Sequence, residues 1–238
     1  MSVSGKLMRT ILITGSNRGL GLEFVKQLSQ QNNHIIATCR NPQEAKQLQD
    51  YTRVKKNISI YPLNVTNDSE LLALVGELND MALDWIINNA GISGQSGVTV
   101  GNIDRNNFLN VMNVNCLSPL KISDAFLPLL LKGKEKLIVN ISSALGSISD
   151  NQRGKSYAYR ASKAALNCVM RSFALDVMQS GIKVMLLNPG WVKTRIGGAQ
   201  AVLEAEESVR LMLEVIEKYK NNSHAEVLRN YNDQIINW

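Results

Sequence analysis

Thr14-Gly15-Ser16-Asn17-Arg18-Gly19-Leu20-Gly21 lies between two segments of opposite character. Before it, Arg9-Thr10-Ile11-Leu12-Ile13 is short, β-branched and apolar, the make-up of a buried strand. After it, Leu22-Glu23-Phe24-Val25-Lys26-Gln27-Leu28 places apolar residues at helical spacing. Glycines let a backbone turn sharply and approach a ligand, and a helix N-terminus offers free N–H groups with partial positive charge. A glycine turn from a buried strand into a helix therefore suits a nucleotide pyrophosphate. The spacing is G-x-x-x-G-x-G rather than G-x-G-x-x-G, and no Gly-Lys-Ser/Thr follows, which excludes a P-loop.

Outward from this turn, strand-like and helix-like segments alternate. Apolar runs predict strands at 9–13, 34–39, 58–63, 83–87, 136–141, 182–187 and 225–228. Helical spacing predicts helices at 42–49, opened by Pro42, and at 67–78, 157–178 and 204–219. A longer helical stretch covers about 104–131, with Pro119 and Pro128 as interruptions. Such alternation implies right-handed crossovers and an α/β fold with a parallel sheet covered by helices on both faces. Ligands of such sheets sit at the carboxyl ends of the strands. Four of these ends carry unusual polar residues: Thr14-Gly15, Asn88-Asn89, Ser142-Ser143 and Asn188-Pro189-Gly190.

Composition narrows the function. A chain of 238 residues, 45% hydrophobic and 19% charged, is one soluble globular domain of ordinary size. The net charge of +6 comes without a run of Lys and Arg interleaved with aromatics, so no nucleic-acid partner is expected. His34 and His224 have no partner at metal spacing, so no metal is expected. Cys39, Cys116 and Cys168 sit in apolar segments without C-x-x-C spacing and read as buried thiols of a reducing, cytoplasmic compartment. The first strand starts too early to leave room for a signal peptide, and no apolar stretch is long enough to span a bilayer.

The most specific local signal is Tyr159-Arg160-Ala161-Ser162-Lys163. Residues four apart share a helix face, so Tyr159 and Lys163 can enter one site. An ammonium beside a phenol favours the phenolate and lowers its pKa from about 10. A phenol so tuned can give a proton to a carbonyl oxygen, or take one from an alcohol, near neutral pH. A second signal concerns the nucleotide. Ala37-Thr38-Cys39 is followed by Arg40, with no Asp or Glu at that strand end to bond the ribose hydroxyls of NAD. The planar fork of an arginine there suits the 2′-phosphate of NADP(H), and Arg18 can clamp the same phosphate from the glycine turn.

Together these pieces resemble the short-chain dehydrogenase/reductase family. The carriers are Thr14-Gly15-x3-Gly19-x-Gly21, Asn88-Asn89-Ala90-Gly91, Asn115, Ser143, Tyr159-x3-Lys163 and Pro189-Gly190, in the family's order. Tyr157 to Asn167, Pro189 to Thr194 and the terminal Trp238 look most like the sniffer and C-factor group of small carbonyl reductases. The resemblance implies one doubly wound Rossmann-type domain over residues 1–238, with a mostly parallel seven-stranded sheet. It implies a carbonyl or alcohol substrate, with Tyr159 as general acid/base and Lys163 as its tuner and ribose ligand. Ser143 would hold the substrate oxygen, and Asn115 a water leading to Lys163. The implied cofactor cradle is Gly15, Ser16, Asn17, Arg18, Gly19, Leu20, Gly21, Arg40, Asn64, Val65, Asn89, Ala90, Gly91, Tyr159, Lys163, Pro189, Gly190, Val192 and Thr194.

Further expectations follow from the resemblance. The family pairs subunits through the helix of the catalytic tyrosine and the long helix before the fifth strand. Here these carry Leu109, Val111, Met112, Ile122, Phe126, Leu166, Met170 and Phe173, so a homodimer is expected. The segment 194–203 is a short lid, which implies an open substrate mouth with Trp191 as an apolar wall or a core residue. Asn64 departs from the family's aspartate, and Asn232-Asp233 replaces its glycine turn. The contrasting function is a weakly catalytic, nucleotide-loaded signalling or binding protein of the same fold.

Overall fold

Thr10–Thr14 (β1) runs through the middle of the sheet, and its residues from Ile11 to Thr14 are buried. The computed structural model describes residues 8–238; the expectation about a signal peptide falls on residues 1–7, outside the described residues. After β1 come α1 (Gly19–Gln30), β2 (His34–Cys39), α2 (Lys46–Val54), β3 (Ile58–Pro62), α3 (Asp68–Glu77) and β4 (Trp85–Asn88). Then follow α4 (Arg105–Met112), α5 (Ser118–Ala125), α6 (Leu127–Leu131), β5 (Leu137–Ile141) and α7 (Tyr157–Val177). The chain ends with β6 (Lys183–Asn188), α8 (Ala205–Tyr219), β7 (His224–Asn230) and β8 (Ile235–Ile236).

The strand order is β3-β2-β1-β4-β5-β6-β7-β8, with every pair parallel except β7–β8. The order reverses between β1 and β4, the place where open α/β sheets leave a ligand crevice. The strand period of two splits β1 between two cores. Ile11 and Ile13 join residues of α1, α2 and α8, such as Phe24, Leu48 and Met212. Leu12 joins residues of α3, α5, α6 and α7, such as Leu71, Ile122, Leu129 and Met170. Each such buried Leu, Ile or Phe contributes on the order of 1.5–3 kcal/mol relative to exposure.

At the amino ends of the strands Arg9 is buried, its guanidinium 4.4 Å from the Trp85 ring. It pairs with Glu135 at 2.8 Å and Glu217 at 2.7 Å, and Lys220 also reaches Glu135 at 2.8 Å. Burial pushes both carboxyl pKa values up, but hydrogen bonds from Lys220 and Arg9 outweigh it and hold them below the ordinary range.

Several expectations are corrected. The sheet has eight strands among the described residues, not seven, because Ile235–Ile236 pairs antiparallel with Leu228 and Arg229. Two residues are too short for a period of two to register in sequence. The turn before them works without glycine: Asp233 takes φ +68, its carboxylate held by Lys218, Tyr219 and Arg229. Pro42 opens only the 3₁₀ turn Pro42–Glu44, and α2 starts later and runs further than expected. Pro119 does not break the long helix. The π turn Asn113–Leu117 widens the helix just before it, relieving the clash between a proline ring and the preceding turn. Pro128 sits in the first turn of a new helix, where a missing N–H does no harm. Cys168 is exposed on α7, whereas Cys39 and Cys116 are buried as expected. Of the eight apolar residues expected to pair subunits, six belong to this chain's own core; Leu109 is exposed and Met112 half-buried.

Candidate active site

The glycine turn is built for close approach. Gly15 and Gly19 have φ +68 and +56, in the left-handed region that favours glycine. A Cβ on Gly21 would lie 2.2 Å from the Gly15 carbonyl oxygen, so only glycine fits there. The turn is clamped from β4: Asn89 Nδ2 donates to the carbonyls of Thr14 at 2.8 Å and Gly15 at 3.2 Å. Thr14 Oγ1 in return accepts the N–H groups of Asn89 and Ala90 at 3.1 and 3.0 Å. Ser16 is buried, its N–H bonded to Thr38 O and its hydroxyl to Ile13 O, so the hydroxyl fastens the turn. Arg18 enters α1 with an extended backbone, no side chain caps that helix, and its first turn has no acidic residue. Its leading N–H groups and dipole are thus left facing the turn, as an anion site requires.

The residues expected to surround the turn lie on or after the neighbouring strand ends. Arg18 and Arg40 follow adjacent strands, are both exposed, and have no ion pair among the described residues. Asn17 and Leu20 are half-buried, and Leu20 packs on the core beneath α1. Asn64 and Val65 follow β3; the Asn64 side chain accepts from Thr66, and Val65 packs on the second core. Gly91 passes so close to Asn115 that a Cβ would lie 3.3 Å from Oδ1. Beyond β6, Gly190 takes φ +82, and a Cβ there would strike the Tyr231 ring at 2.7 Å. Pro189 is half-buried and its carbonyl accepts from Ser208. Val192 is buried and bridged to Leu203, while the Thr194 methyl faces Gly19 across 3.4 Å of would-be Cβ contact. Trp191 is 54% exposed, its Nε1 donating to Gly197 O at 2.7 Å, so it is not a core residue.

Ser143, Tyr159 and Lys163 converge from two elements. Ser143 follows β5 and caps a short turn, its Oγ accepting from Leu145 N at 3.1 Å. Tyr159 lies in the first turns of α7 with Lys163 one turn on, on the same face. Burial raises the Tyr159 pKa, and the nearby Ser143 hydroxyl pulls it back in part. Burial drives Lys163 down to about 8. Its Nζ donates to Ile141 O at 2.7 Å and lies 5.8 Å from the centre of the Tyr159 ring. The expectation that Lys163 lowers the Tyr159 pKa is therefore not met here: the ammonium points at the strand carbonyl, and desolvation of the phenol dominates. Asn115 is fully buried in the π turn, with Oδ1 on Ile92 N and Nδ2 on Ile92 O and Ser162 Oγ. Ser162 Oγ also donates to Tyr159 O, so Asn115 steadies the backbone that carries the tyrosine.

Three residues here escaped the sequence reading. Gly146 lets the Ser143 turn lie on α7, since a Cβ would be 2.9 Å from the Lys163 carbonyl carbon. Ser162 and Asn167, both buried, tie α7 to its neighbours. Their positions three and four residues from Tyr159 and Lys163 were the available signal.

The short chain dehydrogenase family model matches residues 9–204. C-signal from Myxococcus xanthus is 39% identical over 156 residues, covering 66% of this chain and 93% of that protein. An NADPH-bound carbonyl reductase from chicken fatty liver superposes with TM-score 0.88 and 35% identity, over 98% of this chain and 100% of that one. The carbonyl reductase Sniffer of D. melanogaster gives TM-score 0.85 and 34% identity, over the same shares. With the glycine turn, the Ser143–Tyr159–Lys163 convergence and this match over most of its length, the chain belongs to the short chain dehydrogenase family.

Proposed function

We propose that this protein is an NADP(H)-dependent carbonyl reductase, moving a hydride between nicotinamide and a carbonyl or alcohol. The observation that carries the reading is the convergence at the carboxyl end of β5 of Tyr159, with Ser143 close enough to lower its pKa and the Lys163 ammonium 5.8 Å from its ring centre. The dinucleotide, when bound, supplies or accepts the hydride. The uncapped start of α1 and the tight glycines fit its pyrophosphate, and the exposed Arg18 and Arg40 fit a 2′-phosphate. The similarity to the NADPH-bound chicken enzyme supports the same choice.

The proton chemistry belongs to the chain itself. Burial keeps the Tyr159 phenol protonated through neutral pH, which suits it to donate to a carbonyl oxygen in the reducing direction. Ser143 Oγ, fixed by the turn after β5, donates a second hydrogen bond to the oxygen that gains charge. Lys163, near half-charged at about pH 8, stabilises the phenolate left behind and re-supplies the proton. A protein that only bound nucleotide would have no use for a phenol of raised pKa set beside a serine and a lysine. The same reading includes a single domain and a cytoplasmic homodimer, with exposed Leu109, Leu117 and Leu175 as the apolar contacts left on the pairing helices. Among the described residues no helix is long and apolar enough to cross a membrane.

The test is NADPH oxidation with a panel of carbonyls, followed by the reduced-nicotinamide absorbance. Tyr159→Phe should lower turnover by at least ~10² while cofactor binding persists. Wild-type turnover in that variant would sink the reading. Light scattering at micromolar concentration tests the dimer.

A further inference from the structure

We propose that Asn167 is a positioning residue for the reduction described above, acting through Ser142 to hold Tyr159 and Lys163 against Ser143. The proposal rests on that functional reading. Asn167 follows Lys163 by four residues, so Tyr159, Lys163 and Asn167 form one stripe along α7. The stripe faces the end of β5, where consecutive residues are engaged in turn. Ile141 O accepts from Lys163 Nζ at 2.7 Å, Ser142 Oγ donates to Asn167 Oδ1 at 2.6 Å, and Ser143 meets Tyr159. Ser142 is itself fixed to β6, its N–H donating to Leu187 O at 2.7 Å. The Ser142–Asn167 bond therefore sets the register of the tyrosine helix against a strand end that is anchored independently.

Stability alone does not explain this pair. Asn167 is 2% exposed and Ser142 likewise, and Asn167 Nδ2 is buried without a hydrogen-bond partner. Its neighbours on α7, Leu166, Met170 and Phe173, are apolar core. An apolar residue at 167 would pack there with no idle donor, and replacing both members of a buried polar pair is often neutral or stabilising. A half-satisfied polar pair kept where two catalytic elements meet is a local rule broken at a functional site. Its use is positional. A slip of α7 by a single residue would move the Tyr159 hydroxyl by about 1.5 Å along the helix axis. A misplacement of that size is enough to cost on the order of 10²-fold in rate.

The experiment compares wild type, the double variant Ser142→Ala/Asn167→Leu, and Ser142→Thr, which keeps the hydroxyl. Urea unfolding establishes that each folds. For the double variant we expect stability equal to wild type or higher, kcat for carbonyl reduction at least tenfold lower, and KM for NADPH within about twofold. Ser142→Thr should restore most of kcat. A readout that needs no turnover is the titration of Lys163 in the cofactor-free protein, followed by ¹³C NMR and assigned against Lys163→Met. Once α7 is no longer held in register against that strand end, the Lys163 ammonium should lose the Ile141 carbonyl, relax outward and titrate above the wild-type lysine, whose pKa burial holds down. If the double variant keeps wild-type kcat, or if its Lys163 titrates as in wild type, the proposal is overturned. If wild type reduces no carbonyl at all, the functional reading fails, and the Lys163 titration alone decides whether Asn167 positions α7.

Discussion

Lys163→Met should stabilise the protein at neutral pH while abolishing turnover, and its effect on stability should change sign with pH. Lys163 is 5% exposed and titrates near 8 instead of 10.5, because burial disfavours its charge. A shift of this size corresponds to about 3 kcal/mol of native-state destabilisation while the group is charged in both states. Methionine removes that charge in a side chain of similar length, but leaves the Ile141 carbonyl without its donor, a loss of about 1–3 kcal/mol. The net expectation at pH 7 is a variant more stable by up to about 2 kcal/mol. Between about pH 8 and 10.5 the unfolded chain holds a proton on Lys163 that the folded protein has released, so wild-type stability gains with pH over this window. The advantage of methionine should shrink across it and reverse near its upper end, a total swing of about 3 kcal/mol. Cys39 and Tyr159, whose pKa values burial raises, act in the opposite sense in both proteins and drop out of the difference, which reports the lysine together with Cys116, the thiol it is coupled to. Urea unfolding of both proteins at pH steps from 7 to 10 measures it. A difference that stays constant over that range, or a methionine variant already less stable at pH 7, would refute the argument that desolvation of this ammonium dominates its energetics.

Gly146→Ala should cost about 1–3 kcal/mol by overpacking and lower kcat at least tenfold, since its Cβ would meet the α7 backbone at 2.9 Å. Gly76→Ala, with nothing within 4 Å, is the control and should stabilise by about 0.5–1 kcal/mol; equal effects in thermal melts would contradict the packing argument. Wild type should favour NADPH over NADH by at least about tenfold in kcat/KM, and Arg40→Asp should abolish or invert this by replacing attraction with repulsion. Equal efficiency with both nucleotides would remove Arg40 from the site. Glu135 and Glu217 have pKa values below the ordinary range, so their contribution to stability is present above about pH 4.5 and lost as pH falls through their folded values. Arg9→Met should flatten that acid limb in urea titrations, and an unchanged limb would show that the buried pair does not govern acid unfolding.

The sequence by itself determined the parallel α/β plan, because strand and helix periods alternate and each β-branched run is short, apolar and closed by a polar turn. It also determined the glycine turn and the Tyr159–Lys163 spacing, since both are local: one is a backbone that only glycine allows, the other a helix repeat. The edge strand Ile235–Ile236 escaped it, being held by pairing to Leu228 and Arg229 and not by any pattern of its own. The π turn before Pro119 escaped for a similar reason: which way a helix accommodates proline depends on what packs around it. Burial was decided by the tertiary structure alone. Apolar positions on α4, α5 and α7 suit a subunit interface and a core equally well in sequence, and only the packed sheet face shows that Val111, Ile122 and Met170 are core. The direction of the Lys163 ammonium was settled in the same way. Helical spacing puts it on the face of Tyr159, but the carbonyl of Ile141, brought alongside from a strand more than twenty residues earlier in the chain, is what it bonds, and desolvation by the surrounding fold then sets the proton affinities of both groups.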